Sequence, residues 1–156
     1  MTTKEAHAGG CLCGEVRYEV IGASVWSAIC YCESCTRAAG APAIAWAGFG
    51  KSKFRLLKGR IEIHESSPGV LRGFCRQCGT SLTYQKNPKV LEGAQDDVYV
   101  ATRTLDDPSA YPPDEHVLYG ERVGWFNVDD ELPHYDGLSC EHAHRQLATM
   151  RTKEEG

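Results

Sequence analysis

Seven of the eight cysteines lie in three short clusters whose spacing is typical of ligands for a metal ion. In chain order, the clusters contain Cys11 and Cys13, then Cys30, Cys32 and Cys35, then Cys75 and Cys78. The first residues carry no apolar run long enough for a secretory signal, so we expect the chain in the cytoplasm, where thiols stay reduced. Reduced cysteines at such spacing favour metal ligation or catalysis, and a disulfide framework is the alternative.

The first and third clusters together predict a closed zinc site that stabilises the fold. Each ends beside a glycine, Gly14 or Gly79, where an unusual backbone angle helps to turn two thiolates towards one point. Two such pairs supply the four ligands of a tetrahedral structural site, with Zn–S near ~2.3 Å. Because the pairs are far apart in sequence, zinc would fasten the N-terminal strand to the middle of the chain and couple metal binding to folding.

The second cluster differs because it offers three thiolates and no following glycine. Three protein ligands leave one tetrahedral position open, and this count distinguishes a catalytic zinc from a structural one. The alternative is a fourth protein ligand that closes the site. The residues available for that role are His7, His64, His116, His134, His142, His144 and Cys140. We interpret Cys140 as an ordinary free thiol.

The elements that must position these clusters are mostly short strands. We predict strands at residues 15–20, 43–49, 54–57, 61–64, 70–74, 82–84, 97–105 and 116–119. Lys58-Gly59-Arg60 reads as the turn of a hairpin between the third and fourth of these. One short helix is predicted at Glu33–Ala39. The fold class is therefore all-β, with small antiparallel sheets stapled by zinc and short helical pieces, in one domain over residues 1–138 followed by a polar tail over 139–156.

Composition excludes several classes of function. The 156 residues are 42% hydrophobic and 24% charged, as in ordinary soluble proteins. No stretch is apolar enough to cross a membrane, so no membrane partner is expected. The formal charge of -4 gives no indication of a nucleic-acid partner. The oligomeric state does not follow from the sequence.

The cysteine clusters and their flanking residues resemble the glutathione-dependent formaldehyde-activating enzyme family, which includes centromere protein V. The matching segments are GGCLCGEVRYEV, CYCESCTRAAGA, FCRQCGTSLTY and ATRTLDDP, in that order. His116, Trp125 and the segment Leu132-Pro133-His134-Tyr135 follow. The resemblance covers roughly residues 9 to 136. One departure is Tyr31, which stands where the family often has histidine between the first two cysteines of the second cluster.

The resemblance implies a β-rich zinc scaffold similar to the Mss-four-like proteins, with two Zn²⁺ ions per chain. It implies that one zinc is structural and the other catalytic. The implied structural ligands are Cys11, Cys13, Cys75 and Cys78, and the implied catalytic ligands are Cys30, Cys32 and Cys35. The implied activity is condensation of formaldehyde with glutathione to S-hydroxymethylglutathione, which is a carbon–sulfur lyase reaction in reverse.

We therefore predict a zinc-dependent carbon–sulfur lyase whose partners are a small-molecule thiol such as glutathione and a small aldehyde. The open position at Cys30, Cys32 and Cys35 is the expected site of chemistry, and Tyr31 is included as a catalytic candidate. The first alternative is a non-catalytic module in which both metals are architectural. The second is a thiol-redox or metal-buffering protein, which the C-x-C spacing of Cys30 and Cys32 disfavours.

Further residues are candidates for substrate contacts. Arg37 lies two residues after Cys35 and could bind a carboxylate of glutathione, or it is a solvated helix residue. Four aromatic residues could line a pocket, although aromatics more often belong to a core. They are Trp46, Phe49, Trp125 and Phe126. His116 and Tyr31 could carry protons, and a structural role is the preferred interpretation of both.

Overall fold

The computed structural model describes residues 4–138, which form ten strands, one α-helix and four 3-10 helices of three residues each. The strands are β1 (Ala6–Gly10), β2 (Arg17–Ile21), β3 (Trp26–Cys30), β4 (Ile44–Gly50), β5 (Phe54–Lys58), β6 (Glu62–Ser67), β7 (Val70–Phe74), β8 (Ser81–Lys86), β9 (Asp97–Ala101) and β10 (His116–Val117), and the helix is α1 (Glu33–Ala39). Within these residues no helix is long and apolar enough to cross a membrane. The predicted tail at 139–156, with Cys140, lies outside the described residues, and the domain boundary at 138 stays a prediction.

The strands form two sheets, which confirms the all-β class with short helical pieces. A three-stranded sheet has the order β1-β2-β5, and both of its pairs are antiparallel. A seven-stranded sheet has the order β10-β3-β4-β9-β8-β7-β6. Its pairs are antiparallel except for the short strand β10, which runs parallel to β3. The helix α1 connects β3 to β4, so it lies in the loop between two neighbouring strands.

The seven-stranded sheet carries an apolar cluster on each face. Alternation along β2 buries Tyr18 and Val20, which pack with Phe49 and Val100 of the large sheet in the core between the two sheets. Every residue of β9 is buried, as expected for a strand covered on both faces. The second cluster contains Ala28, Cys30, Cys35, Trp46, Tyr99, Ala101 and Val117. The second group of cysteines therefore lies on the face that the small sheet does not cover.

The hairpin predicted around Lys58-Gly59-Arg60 is wrong, although both of its strands exist. Strand β5 pairs with β2 in the small sheet, whereas β6 pairs with β7 in the large one. The turn therefore carries the chain from one sheet to the other. Its residues indicate that the chain reverses direction, but they do not indicate which strand each of the two flanking strands will pair with.

Some of the other predicted helices and strands are confirmed, and others differ from the structure in their bounds. The helix at Glu33–Ala39 and the strand at Val70–Phe74 have the predicted bounds. The predicted strand 97–105 ends earlier, because residues 102–104 turn into a 3-10 helix. Strands β1 and β3 were not predicted, since AHAGG and WSAIC show no clear alternation of polar and apolar residues.

Gly59 makes the crossing between sheets possible, and this gives a first test. Its φ is +74°, and a Cβ at this position would lie 2.2 Å from the carbonyl oxygen of Glu15. Gly22 has a similar φ of +79°, but the nearest atom to its Cβ position is 3.5 Å away on the flexible side chain of Lys4. Gly22→Ala should lose about 1 to 2 kcal/mol of unfolding free energy from backbone strain alone. Gly59→Ala should lose about 1 to 3 kcal/mol more, because the backbone clash is added.

Urea unfolding of the two variants at equal metal content measures the difference. Equal losses would show that the Glu15 contact relaxes freely and that the crossing does not depend on glycine.

Candidate metal centres

The first and third clusters meet in space, as their spacing predicted. The sulfur atoms of Cys11, Cys13, Cys75 and Cys78 all lie within 4.8 Å of one another. Cys11 and Cys13 are 3.5 Å apart at sulfur, and Cys13 and Cys75 are 3.8 Å apart. A tetrahedral zinc with Zn–S bonds of ~2.3 Å places its sulfurs about 3.8 Å apart. The two measured distances are close to this value, so the four thiols could hold a zinc ion.

Two tight turns hold these sulfurs in place. After β1, the amide of Gly14 donates to the carbonyl of Cys11 at 3.2 Å, and the amide of Val16 donates to the Cys11 sulfur at 3.2 Å. After β7, the amide of Gly79 donates to the carbonyl of Cys75 at 2.8 Å. Both glycines adopt a left-handed backbone, with φ of +79° and +77°. Each turn thus needs glycine directly after its second cysteine.

The electrostatics of this four-sulfur group favour a bound cation. The hydroxyl of Thr80 lies 3.1 Å from the sulfur of Cys78 and, together with the Thr80 amide, lowers the pKa of Cys78 to about 5. The amide of Glu15 lowers the pKa of Cys13, but the neighbouring thiols, led by Cys11, outweigh it and raise that pKa to about 12. Without a metal the four thiols cannot all ionise side by side. A divalent cation removes that conflict, because a coordinating thiol is deprotonated.

The second cluster also converges on one point. The sulfurs of Cys30, Cys32 and Cys35 lie within 4.8 Å of one another. Cys30 is the last residue of β3, and Cys32 caps the N-terminus of α1, where its sulfur accepts the amide of Cys35 at 3.2 Å. Over residues 4–138 no fourth Cys, His, Asp or Glu joins this group. The cluster could hold zinc with three protein ligands, which is the count of a site with an open position.

Negative charge in this three-sulfur group concentrates on Cys35. Hydrogen bonds from the thiols of Cys30 and Cys32, in that order, lower the pKa of Cys35 to about 2, with a smaller contribution from Arg72. The pKa of Cys30 is raised, chiefly by its hydrogen bond with Cys32. Arg72 Nη1 donates to the Cys35 sulfur at 3.6 Å, and its guanidinium lies 5.1 Å from the ring centre of Tyr84. A permanent cation thus lies against the group from outside.

A cavity of about 90 Å³ opens directly beside the three sulfurs, which form part of its lining. This volume has room for several water-sized groups, and therefore for a small aldehyde and the thiol end of a larger molecule. The remaining lining is mostly aromatic and aliphatic, with one charged side chain, that of Lys86. These residues are Trp26, Trp46, Tyr84, Lys86, Tyr99, Val117, Leu118 and Leu138. The arrangement places a metal-binding group in the wall of an apolar pocket.

The four aromatic candidates have different locations. Trp46 lines the cavity, as the sequence analysis allowed. Phe49 belongs to the core between the two sheets, on the opposite face. Trp125 is 77% exposed, and neither it nor Phe126 belongs to the cavity lining. Of the four, the structure therefore brings only Trp46 to the three-sulfur group.

Arg37 is a solvated helix residue in this structure. Its side chain is 81% exposed, and its Nε donates to Glu33 one turn earlier at 3.2 Å. The cations near the cysteines are instead Arg72 on β7 and Lys86 on β8, neither of which was predicted. The feature that would have identified these two cations is the pairing register of β7 and β8. In that register Arg72 pairs with Tyr84, and Lys86 follows Tyr84 by two residues on the same face. That register is not readable from the sequence alone.

The histidines proposed as a fourth ligand are elsewhere. His116 and His134 form their own group with Asp130, in which His116 Nε2 lies 2.9 Å from both carboxylate oxygens. On its other side, Nδ1 of the fully buried His116 lies 2.7 Å from the hydroxyl of Tyr31. His7 and His64 also lie outside the three-sulfur group. His142 and His144, like Cys140, fall outside the described residues.

Comparison with known proteins identifies a family and a similar fold. The family model described as glutathione-dependent formaldehyde-activating enzyme matches residues 6–121, a range that includes all seven clustered cysteines. The crystal structure of a Rhodobacter sphaeroides protein is similar in fold, with a TM-score of 0.51 and 20% sequence identity over 81% of this chain and 98% of that one. No curated protein matches the sequence.

The two cysteine groups should respond differently to the loss of one ligand. Cys75 is buried in the core between the sheets, so Cys75→Ser should abolish cooperative folding. Cys32 is half buried at the end of α1, so Cys32→Ser should keep the fold while bound zinc falls from about two ions per chain to about one.

Metal analysis combined with circular dichroism distinguishes these results. Unfolding of Cys32→Ser, or a folded Cys75→Ser that keeps both ions, would contradict the division into one structural and one open site.

Proposed function

Because the chain belongs to the glutathione-dependent formaldehyde-activating enzyme family, we propose that it is a zinc-dependent carbon–sulfur lyase acting on a thiol–aldehyde adduct. The reaction is formation of S-hydroxymethylglutathione from glutathione and formaldehyde, or the same reaction with a related pair. One observation carries this proposal: the three-sulfur group of Cys30, Cys32 and Cys35 lies in the wall of a largely apolar cavity.

The proposal gives the two cysteine groups different roles. Cys11, Cys13, Cys75 and Cys78 would hold a structural zinc, because they supply a complete set of four thiolates. Cys30, Cys32 and Cys35 hold the zinc used in the reaction. Zinc bound by three thiolates would supply a position in which an incoming thiol is kept ionised near neutral pH.

The chain itself positions the reactants. The turn from β3 into α1 fixes the three sulfurs, since the amide of Cys35 is bonded to the Cys32 sulfur. Trp46 and Tyr99 form a buried aromatic wall on one side of the cavity, where a small aldehyde can be held beside the bound thiol. Holding both reactants together replaces an encounter in solution by a reaction within one complex. The substrate sulfur bonds to the carbonyl carbon, and the carbonyl oxygen takes up the proton that the thiol has lost.

The alternative of a purely architectural module requires a fourth protein ligand at the second cysteine group. In the part of the chain that the structure describes, no histidine, cysteine or carboxylate takes that place. A metal with a purely architectural role also does not require a pocket beside its ligands. Both observations support the enzyme.

The activity is tested by measuring how fast formaldehyde exchanges between its free form and its glutathione adduct at equilibrium, using NMR exchange spectroscopy. We expect the wild-type protein to raise the exchange rate and Cys32→Ser to return it to the rate without protein. Arg37→Gln, on the exposed face of the same helix, serves as the matched control and should keep the wild-type rate. A folded Cys32→Ser protein as active as wild type would overturn the proposal.

Tyr31 gives a second test of the site, because two roles are open to it. Its hydroxyl is bonded to His116, its side chain is 1% exposed, and burial raises its pKa. We expect Tyr31 to hold the turn between Cys30 and Cys32. Tyr31→Phe should then lower the unfolding free energy by about 1 to 3 kcal/mol, because His116 loses a buried partner. The zinc content and exchange rate should remain close to wild type. Loss of exchange without loss of stability would instead identify Tyr31 as a proton carrier.

A further inference from the structure

Lys86 is the one charged residue other than cysteine in the lining of the cavity. It is the last residue of β8, two positions after Tyr84, so both side chains lie on the face of the large sheet that carries the three-sulfur group. No carboxylate in residues 4–138 lies within ion-pair distance of its ammonium group. Among the described residues, the Lys86 ammonium group thus lies at an apolar pocket without an ion-pair partner.

The burial of Lys86 is unfavourable unless something compensates for it. Partial loss of water lowers the pKa of Lys86, and the negative charge of Cys35 only opposes that effect. Cys35 already has a cation of its own, because Arg72 donates directly to its sulfur. Taking an ammonium group out of water without a paired anion costs free energy, which an anionic ligand in the cavity would offset.

The lining of the cavity contains no carboxylate that could pair with Lys86. Among the residues that the structure describes, the ammonium group thus lacks the anion that a partly buried charge needs. This missing partner indicates a ligand that brings negatively charged oxygen into an otherwise apolar pocket.

We propose that Lys86 binds a carboxylate of the thiol substrate, so that the cavity selects anionic thiols over neutral thiols of the same shape. This inference rests on the proposed function, since it assumes that a thiol enters the cavity beside the three cysteines. It assigns to Lys86 the role that the sequence suggested for Arg37. The carboxylate and the sulfur of one ligand are then held at two points of the pocket, by Lys86 and by the metal-binding group.

The test uses two probes that differ only in charge, 3-mercaptopropionate and 3-mercaptopropionamide. Protein in which cobalt replaces zinc is titrated with each, and the change in the visible cobalt spectrum on thiol binding gives the Kd without any measurement of activity. For the wild type we expect the carboxylate to bind at least about tenfold more tightly than the amide, as for a hydrogen bond between charged groups. Lys86→Met should remove that preference and leave the Kd of the amide unchanged.

Two further variants keep the test decisive. Lys86→Arg retains the positive charge and should retain most of the preference for the carboxylate. Lys89→Met, at an exposed position three residues later, is the matched control and should behave as wild type.

Equal affinities of the wild type for the two probes would overturn the role of Lys86, even if no Lys86 variant folds. The proposed function would still stand in that case, because both thiols would have bound at the metal. If neither probe changes the cobalt spectrum, no thiol reaches the metal, and the proposed function fails together with the inference.

Discussion

The fold depends on bringing four cysteine sulfurs to one point between two sheets. Cys11 follows the first strand of the small sheet, and Cys75 follows a strand of the large one. Both are also part of the apolar core between the sheets, where they are 7% and 1% exposed. Packing therefore acts on the same atoms that could hold a metal ion, and a metal bound there would link the two sheets through the sulfurs. This constraint fixes the large sheet as the platform on which the second cysteine group is built.

The two groups use the same ligand type with different surroundings. In the four-sulfur group, backbone amides and Thr80 supply the hydrogen bonds, and two glycine turns enclose the sulfurs. In the three-sulfur group, the cysteines come from a strand end and the first turn of a helix, and a cavity takes the place of a second turn. Arg72 contributes a positive charge from a neighbouring strand. The difference in ligand count thus follows from which elements carry the cysteines.

Sequence reasoning predicted the local features of this site and failed on those set by strand pairing. The cysteine groups, the helix Glu33–Ala39 and the all-β class follow from cysteine spacing and local residue patterns, which act over a few residues. The hairpin at Gly59 was predicted wrongly because a turn does not reveal the sheet that each arm joins. Arg72 and Lys86 were missed for the same reason, since their position beside the cysteines depends on the register of β7, β8 and β9. Tyr31 and His116 were named, but their mutual contact depends on the parallel pairing of β10 with β3.

The cavity has walls of two origins. One wall belongs to central strands of the large sheet, where pairing on both sides holds the backbone of each strand in place. It contains Trp46, Tyr84 and Tyr99. Leu118 and Leu138 belong to the irregular chain after β10, and Leu138 lies beyond the residues that the family model matches. Substitutions or insertions in that later segment can change the shape of the pocket without disturbing a sulfur or a strand. Sequence changes in this segment can therefore alter which ligand fits the pocket while every cysteine is kept, so relatives that share the cysteines need not share a ligand.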